Sequence, residues 1–297
     1  MASDVIEIIA GTPVGGGQDR TARSVASVLG LEVTISNVPG RGGGNGWEQL
    51  IKRRGDHMVL GVSSPTLVTN ALVGVSEIDH RDLTSIAMLY TEYSVVVTAR
   101  GSPWAGPEAF LTGLARREIT VSFATALGNM NHLALAEIAR HVDVEAQHLP
   151  VRVFESARDA LADVLNGDAD AAMVSAASAV PELSNGTTVA VAVTSAHRLG
   201  GIFRQVPTWV EVGVKCDSGT WRGLVGPPAL FPETIELWST RLATATASPK
   251  WAGLLTENQW TSTYLGPTGT DRFLEAERQH LASLLYETGL LKVVGDV

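Results

Sequence analysis

The sequence predicts an α/β fold made of two lobes, and three observations support this prediction. Short apolar strands alternate with helices from the N-terminus onwards, the same series starts again after residue 103, and a mainly helical segment follows residue 220. Strands that alternate with helices of this length form parallel sheets whose faces are covered by the helices. We therefore expect two α/β units, the second of which ends near residue 218.

The first unit is predicted to contain three strands and two helices. The expected strands are residues 5–10, 32–36 and 57–62, and the expected helices are 19–29 and 47–53. The first helix carries its apolar residues at positions i, i+3, i+4 and i+7, and Gly30, which follows it, is a residue type that commonly ends helices. A hydroxyl-rich turn is expected at 63–66.

The second unit repeats this order. Residues 118–142 read as strand, glycine-containing turn and helix, as residues 4–29 do. Further strands are expected at 144–150, 169–175 and 187–195, and a helix at 156–167. The segment after residue 220 is predicted to form helices at 232–247, 249–257 and 269–288, with an extended stretch at 259–265. We expect this tail to pack against the first lobe.

Composition excludes several function classes. The chain has 297 residues and a formal net charge of −9, which argues against nucleic acid or an anionic membrane surface as the main partner. Its single cysteine, Cys216, excludes an internal disulfide and a cysteine-rich metal site. No window approaches the ~18 consecutive apolar residues of a membrane helix. We expect no metal ion and no cofactor, while composition leaves both a cytoplasmic and an exported protein open.

Two glycine-rich loops, at residues 11–20 and 37–46, connect predicted strands to predicted helices. The first lacks the lysine and hydroxyl residues of a P-loop, and neither loop has the spacing of a dinucleotide-binding motif. The free amides of such a loop at a helix N-terminus still favour a small anion such as a carboxylate. Asp19 either caps its own helix or contacts the ligand. The second loop either faces ligand or forms only a tight turn.

Enzyme motifs are scarce. The sequence contains no G-x-S-x-G elbow, no H-E-x-x-H and no S-x-x-K pair. His132 lies one turn inside the helix that follows the second unit's glycine turn. It either points towards a cleft, where it would be a candidate base, or hydrogen-bonds within its own loop. We expect no catalytic residues.

Several segments, taken in order, resemble one family. "PVGGGQDRTAR" (13–23) is similar to the motif P-x-G-G-G-x-D-x-x-A-R, and "NVPGRGGGNG" (37–46) to N-x-P-G-A-G-G. The series continues with "GNMNHLALAEI" (128–138), "LADVLNGDADAAM" (161–173), "VAVTSAHRL" (191–199) and "VPTWVEVG" (206–213). It ends with "WRGLVGPPALFPE" (221–233), which is similar to W-x-G-L-x-A-P-A-x-x-P. From about residue 4 to 294, the chain resembles the extracytoplasmic solute receptors of tripartite tricarboxylate transporters, the Bug or TctC-like receptors.

This resemblance implies a two-lobed periplasmic-binding-protein fold of the Venus-flytrap, type II-like kind, with a ligand cleft between the lobes. Residues 1–98 and 221–297 would form lobe one and residues 99–220 lobe two, with crossing hinge strands near 95–98 and 220–224. In the family, one carboxylate is held by a loop of each lobe, partly through ordered water. These loops map to Val14, Gly15, Gly16, Gly17 and Asp19 in lobe one, and to Ala126, Leu127, Gly128, Asn129, Met130, Asn131 and His132 in lobe two.

The chain departs from the family pattern at two places. Asn129 stands where the family usually has serine, and the family's P-Y-K-G is replaced by the longer "PVRVFESARDAL" (150–161). This segment borders the predicted distal half of the pocket, so it bears on ligand identity. Further candidates for the edge of the pocket are Arg20, Ser63, Ser64, Thr66, Phe154 and Ser175.

The expected function is that of a periplasmic receptor whose signal peptide has been removed. It would capture a small organic carboxylate, foremost a dicarboxylate, by closure of its lobes, and would deliver it as a monomer to the membrane permease of a tripartite tricarboxylate transporter. Two alternatives stay open at this point: an α/β enzyme that acts on a carboxylated substrate with His132 as base, and a ligand sensor for a two-component system. The effector module of a cytoplasmic regulator is not expected, because it would need a fused DNA-binding segment and the given sequence shows none.

Overall fold

The computed structural model describes residues 5–124 and 126–291, and these divide into two compact units. The first unit holds the described residues up to Thr91 together with Trp221–Ala282. The second holds Glu92–Thr220 and Ser283–Leu291. The sequence assigned residues 92–98 and 283–291 to the first lobe, so the division differs there. Residues 1–4 and 292–297 of the predicted first lobe lie outside the described residues.

The first unit begins with strands and helices in alternation. They are β1 (Ile6–Ala10), α1 (Gly17–Leu29), β2 (Val33–Asn37), α2 (Gly44–Lys52), β3 (Val59–Ser63) and α3 (Pro65–Leu72). The long strand β4 (Thr84–Ala99) follows and contains the boundary between the two units.

The second unit continues the alternation. Its elements are α4 (Pro107–Arg116), β5 (Val121–Ala124), α5 (Met130–His141), β6 (Val151–Phe154), α6 (Ala157–Leu165), β7 (Ala171–Ser175), α7 (Ala176–Ser184) and β8 (Thr188–Val193). The remaining elements are β9 (Gly219–Gly226), α8 (Pro232–Thr246), α9 (Pro249–Glu257), β10 (Trp260–Leu265) and α10 (Pro267–Glu287). The predicted helical tail is confirmed, including its one extended stretch.

The sheet of the first unit has a parallel centre, as predicted. Strand β1 pairs in parallel with β2 and β3, and Ile8 aligns with both Ile35 and Leu60. Strand β9 runs antiparallel to β3, with Gly223 opposite Ser63, and β4 lies beyond β9. Because β1, β2 and β3 are parallel, the loops that follow them meet at one edge of the sheet.

The second unit repeats this design. Strand β5 pairs in parallel with β6 and β7, and Ala124 aligns with Phe154. Strand β4 pairs antiparallel with β7 and β8, and Ser94 lies opposite Ser175. The C-terminal ends of β5, β6 and β7 therefore lie at one edge, from which the loop before α5 leaves.

Each unit has its own apolar core. Ile8 and Leu60 of the first unit pack in one cluster with Trp238, Leu242 and Trp251 of α8 and α9, so the prediction that the tail covers the first lobe is confirmed for these helices. In the second unit, residues of α4, β5 and α5 pack with Trp209. The burial of such large side chains is the main favourable contribution to folding of each unit.

Two local predictions are wrong. Residues 144–150 do not form a strand: Ala146–His148 is a short 3-10 helix, and the strand begins only at Val151. Val144, Ala146 and Leu149 are all buried, and such spacing fits a tight helical turn as well as a short strand. No separate turn occupies residues 63–66: Ser63 ends β3, Ser64 is the N-cap of α3, and Pro65 lies in the first helical turn, where a missing N–H costs nothing.

Candidate functional site

The first glycine loop joins β1 to α1 and needs its glycines for different reasons. Gly15 is exposed and has φ +83°, a left-handed conformation that side chains disfavour. The Gly16 amide donates to the Pro13 carbonyl at 3.0 Å and closes the turn. Gly17 begins α1, and neither its amide nor that of Gln18 has an acceptor among the described residues. These two amides are donors of the kind that a helix N-terminus leaves unsatisfied, and their binding of an anion stays a prediction.

Asp19 fixes the conformation of this loop through a buried side chain. Its side chain is 1% exposed and accepts hydrogen bonds from the Gly15 amide at 2.8 Å and from Asn37 Nδ2 at 2.9 Å. Arg23 donates to both of its oxygens at 2.9 Å. The N-cap residue of α1 is Gly16, without a side-chain cap, so Asp19 shapes the loop and is not the cap of its helix.

The partners of Asp19 lower the pKa of its carboxyl group from 3.8 to about 2. Hydrogen bonds from Arg23 are the largest cause, and those from Gly15 and Asn37 add to it against the opposing effect of burial. A carboxylate with a pKa this low is fully ionised under ordinary conditions.

The low pKa of Asp19 predicts a pH dependence of stability. Because the pKa is lower in the folded state, the stabilisation is complete above about pH 4 and is lost as the pH falls towards about 2. The expected loss is about 2 kcal/mol of the free energy of unfolding. Urea denaturation between pH 5 and pH 2 measures it, with Asp19→Asn as the comparison. Equal losses in the wild type and the variant over this range would contradict the assignment.

A chain of hydrogen bonds joins the three loops that leave β1, β2 and β3. Gln18 Oε1 accepts from the Gly11 amide at 2.7 Å, and Gln18 Nε2 donates to Ser64 Oγ at 3.3 Å. Ser64 and Thr66 share a hydrogen bond of 2.9 Å, and Thr66 Oγ1 donates to the Gly42 carbonyl at 2.6 Å. The second glycine loop is therefore tied to the first through side chains, and a ligand-facing role for it stays a prediction.

The predicted residues of the first unit occupy different environments. Ser63 and Ser64 are buried, and Ser64 links loops and does not line an open edge. Val14 and Arg20 point outwards and are exposed. Gln18 and Asn37, which organise the loops, are not among the predicted site residues, although their positions within the two glycine-rich motifs signalled them.

Arg222, which is not among the predicted site residues, lies beside the first glycine loop. Its Nη2 atom lies 2.5 Å from the position that a Cβ atom on Gly17 would occupy, so the guanidinium group covers the first residue of α1. Arg222 lies on β9, directly before Gly223, which is paired with Ser63. Only the antiparallel return of a distant strand brings this cation to the glycine loop, and no local pattern indicates it.

The corresponding loop of the second unit precedes α5. Asn129 caps α5: its Oδ1 accepts from the His132 amide at 3.0 Å, and its Nδ2 donates to the Ala124 carbonyl at 2.5 Å. A serine could accept the first bond but could not donate from a second atom. Asparagine at this position therefore fastens the loop to the end of β5 as well as capping the helix. Gly128 has φ +80° and supplies the turn.

His132 closes this loop. It is 4% exposed, its Nδ1 accepts from the Gly128 amide at 2.9 Å, and its ring stacks on Phe123 with centroids 5.4 Å apart. Burial lowers the pKa of the imidazole, so the ring is neutral and carries its proton on Nε2. Of the two roles left open by the sequence, the structure shows the hydrogen bond within the loop.

Asn131 connects this loop to the neighbouring strand. Its Nδ2 donates to the Ala124 carbonyl at 3.0 Å, and its Oδ1 accepts from Ser94 Oγ at 2.7 Å. Ser94 lies opposite Ser175, whose hydroxyl caps α7. Ser94, which the sequence analysis did not identify, thus belongs to the same edge of the sheet as the predicted residues.

The other predicted residues of the second unit surround this edge. Phe154 ends β6 beside Ala124, and the Arg152 guanidinium lies 5.9 Å from the centroid of its ring. Ala126 and Leu127 are exposed, whereas Met130 is buried. Met130 therefore supports the loop from the core side and does not face solvent.

No group of three or more histidine, cysteine, aspartate or glutamate side chains in residues 5–124 and 126–291 is arranged to hold a metal ion. Among the helices of the same residues, none combines the length and the apolar character needed to cross a bilayer.

The chain is similar over most of its length to known transport receptors. A family model described as the tripartite tricarboxylate transporter family receptor, TctC, matches residues 19–290. The protein BugT of Bordetella pertussis is 26% identical over 296 residues, which cover 96% of this chain and 89% of BugT.

Solved structures share the fold. A TctC solute-binding protein from Polaromonas, solved without ligand, superimposes with a TM-score of 0.83 at 25% identity and covers 95% of this chain and 98% of its own. The protein Rpa4515 of Rhodopseudomonas palustris, solved with adipate, gives a TM-score of 0.79 at 21% identity and covers 96% of this chain and 97% of its own. The predicted two-lobed solute-binding fold is confirmed.

Proposed function

This chain belongs to the tripartite tricarboxylate transporter receptor family, and from this premise we propose its function. It captures a small dicarboxylate in the periplasm and delivers it to the membrane permease of such a transporter. The family is one of solute-binding receptors. The ligand class, the location, the delivery step and the absence of catalysis are our inferences for this chain.

One observation carries the proposal: each unit presents a strand–turn–helix loop of the same design. In both loops a glycine with positive φ precedes the helix, at Gly15 and at Gly128. In both loops, a polar side chain of the first helical turn accepts a hydrogen bond from the amide of that glycine. This side chain is Asp19 in the first unit and His132 in the second. Such a loop presents the amides of a helix N-terminus to an anionic group. That the two loops clamp a single carboxylate stays a prediction.

The dicarboxylate class is supported by the adipate-bound neighbour of the same fold. A dicarboxylate has an anionic group at each end, and a loop that recognises one end leaves the rest of the pocket to select chain length. We infer that Phe154 and the segment after it take part in this selection, since this is where the chain departs from the family pattern. That a monomer delivers the acid to a permease is our inference, and the family's description as a transporter receptor supports the delivery step.

The enzyme alternative is weakened by the position of His132. A general base must reach its substrate proton with a free nitrogen. Nδ1 of His132 already accepts a hydrogen bond from the Gly128 amide, and Nε2 carries the proton of the neutral ring. The residue that sequence reasoning offered as the base is thus engaged in holding a loop.

A melting experiment with candidate acids tests the proposed function. We expect succinate, glutarate or adipate, at about 100 times its Kd, to raise the melting temperature by roughly 5 °C, because ligand that binds only the folded state stabilises it by about 2.7 kcal/mol. Adipamide, which has the length of adipate without its charges, is the control. Chromatography of the same mixtures detects any product, and turnover of the acid or a lack of any shift would refute the proposal.

A further inference from the structure

Arg222 places a cation against the N-terminus of α1. Its Nη2 atom is 2.5 Å from the ideal Cβ position of Gly17, and Cζ is 3.4 Å from it. The residue is half-buried. Its one hydrogen bond runs from Nη1 to the Trp221 carbonyl at 3.4 Å, and among the described residues no carboxylate forms an ion pair with it. The guanidinium group keeps most of its five N–H donors available.

This arrangement brings two sources of positive charge together, and both favour a bound anion. The N-terminus of a helix carries about half a positive charge, and the guanidinium group adds a full one beside it. The nearest acidic side chain of the loop, Asp19, already accepts hydrogen bonds from Arg23, Asn37 and the Gly15 amide. An anion held by Arg222 and by the free Gly17 and Gln18 amides would balance this positive charge.

We propose that Arg222 binds the carboxylate of the ligand directly, as an ion pair, over the first turn of α1. A guanidinium group matches the two oxygens of a carboxylate and binds them through parallel hydrogen bonds. The proposal rests on the proposed function, and it adds a chain-specific contact: Arg222 occupies the variable position of the W-x-G-L motif. The family pattern implies loop amides and water, whereas this chain supplies a charged partner.

The Arg222 guanidinium group lies over Gly17. A Cβ atom there would displace the guanidinium group, whose flexible side chain can move at little cost. Gly17 has no positive φ and stands at the start of a helix, where alanine is well tolerated. Gly16 is less suitable for substitution, because its Cβ would lie 2.6 Å from the Thr12 side chain and would disturb the loop itself.

Titration calorimetry of succinate, glutarate and adipate against the wild type and four variants tests the inference. We expect Arg222→Gln to weaken binding of the preferred acid by about 10- to 100-fold, the usual effect of losing hydrogen bonds to a charged group. Arg222→Lys keeps the positive charge but lacks the paired N–H donors of the guanidinium group, so it should weaken binding of the acid by a smaller factor. Gly17→Ala should weaken it because the guanidinium group is displaced. Arg54→Gln, which removes an exposed charge from the same unit, should bind as the wild type does.

Four outcomes are distinguishable. Weakened binding in Arg222→Gln and Gly17→Ala, with melting temperatures of the free proteins unchanged, supports the inference. Equal affinity of the wild type and Arg222→Gln overturns it and leaves the receptor function standing. If Arg54→Gln loses as much affinity as Arg222→Gln does, the inference is also overturned, since the change in net charge alone would then explain the effect. If the wild type binds none of the acids, the proposed function and this inference fail together.

Discussion

Replacement of Trp47 by alanine is expected to lower the free energy of unfolding by about 3–5 kcal/mol. Trp47 is 1% exposed and packs with Ile9 and Leu50 between α2 and the sheet. Its Nε1 donates to the Val62 carbonyl at 3.0 Å. Its ring also closes the space beside Gly43, where an added Cβ would lie 3.0 Å from the ring. The loss of the ring leaves a cavity directly below the second glycine loop.

Urea denaturation followed by circular dichroism measures this loss. Trp47→Phe is the matched control, because it keeps an aromatic ring in the core and removes the hydrogen bond to Val62 together with part of the ring volume. We expect the phenylalanine variant to lose clearly less stability than the alanine variant. A loss below about 1 kcal/mol in Trp47→Ala would show that the second glycine loop relaxes into the cavity and would contradict this prediction.

Replacement of Asp19 by asparagine is expected to cost about 2–3 kcal/mol at neutral pH and to weaken ligand binding. The new amide group would place a donor opposite the donors of Arg23 or Asn37, or opposite the Gly15 amide, so that at least one of these bonds is lost. Loss of a hydrogen bond to a buried charged group accounts for this magnitude. Since Gly15 would then lose its acceptor, the loop would no longer be held in its binding conformation.

The measurement combines urea denaturation with the acid screen described above. Asp271→Asn, a change of the same chemistry at an exposed position of the first unit, is the control and should alter neither quantity. If Asp19→Asn lost stability but bound the ligand with unchanged affinity, the loop would not depend on Asp19 for its conformation. An unchanged stability would contradict the network of hydrogen bonds itself.

The loops themselves could be predicted because their determinants are local. A short apolar run, a group of glycines and an amphipathic helix follow one another within about twenty residues in each unit, and each feature has a conformational preference of its own. The order of the family motifs then identified the receptor family, and the match to residues 19–290 confirms it. Local ambiguity also explains the error at 144–150, where short apolar spacing fitted two structures equally well.

What each candidate side chain does could not be predicted in the same way. Asp19 was left open between cap and ligand contact, and its role depends on Asn37 from the next strand. Ser94 reaches Asn131 only because β4 pairs with β7 at the edge where the loop begins. The burial of Ser63 likewise depends on β9, whose Gly223 lies opposite it and is distant from it in sequence.

The sequence by itself determined the α/β class, the repeated strand–turn–helix loops and the family, because periodicity, glycine conformation and motif order are encoded in neighbouring residues. Only the tertiary structure decided which polar groups the loops leave free and which cation covers them. Arg222 and Gly17 are about two hundred positions apart, and they meet because β9 returns antiparallel to β3 at the end of the sheet. Strand pairing over such a separation depends on the packing of the whole unit, which no local pattern specifies.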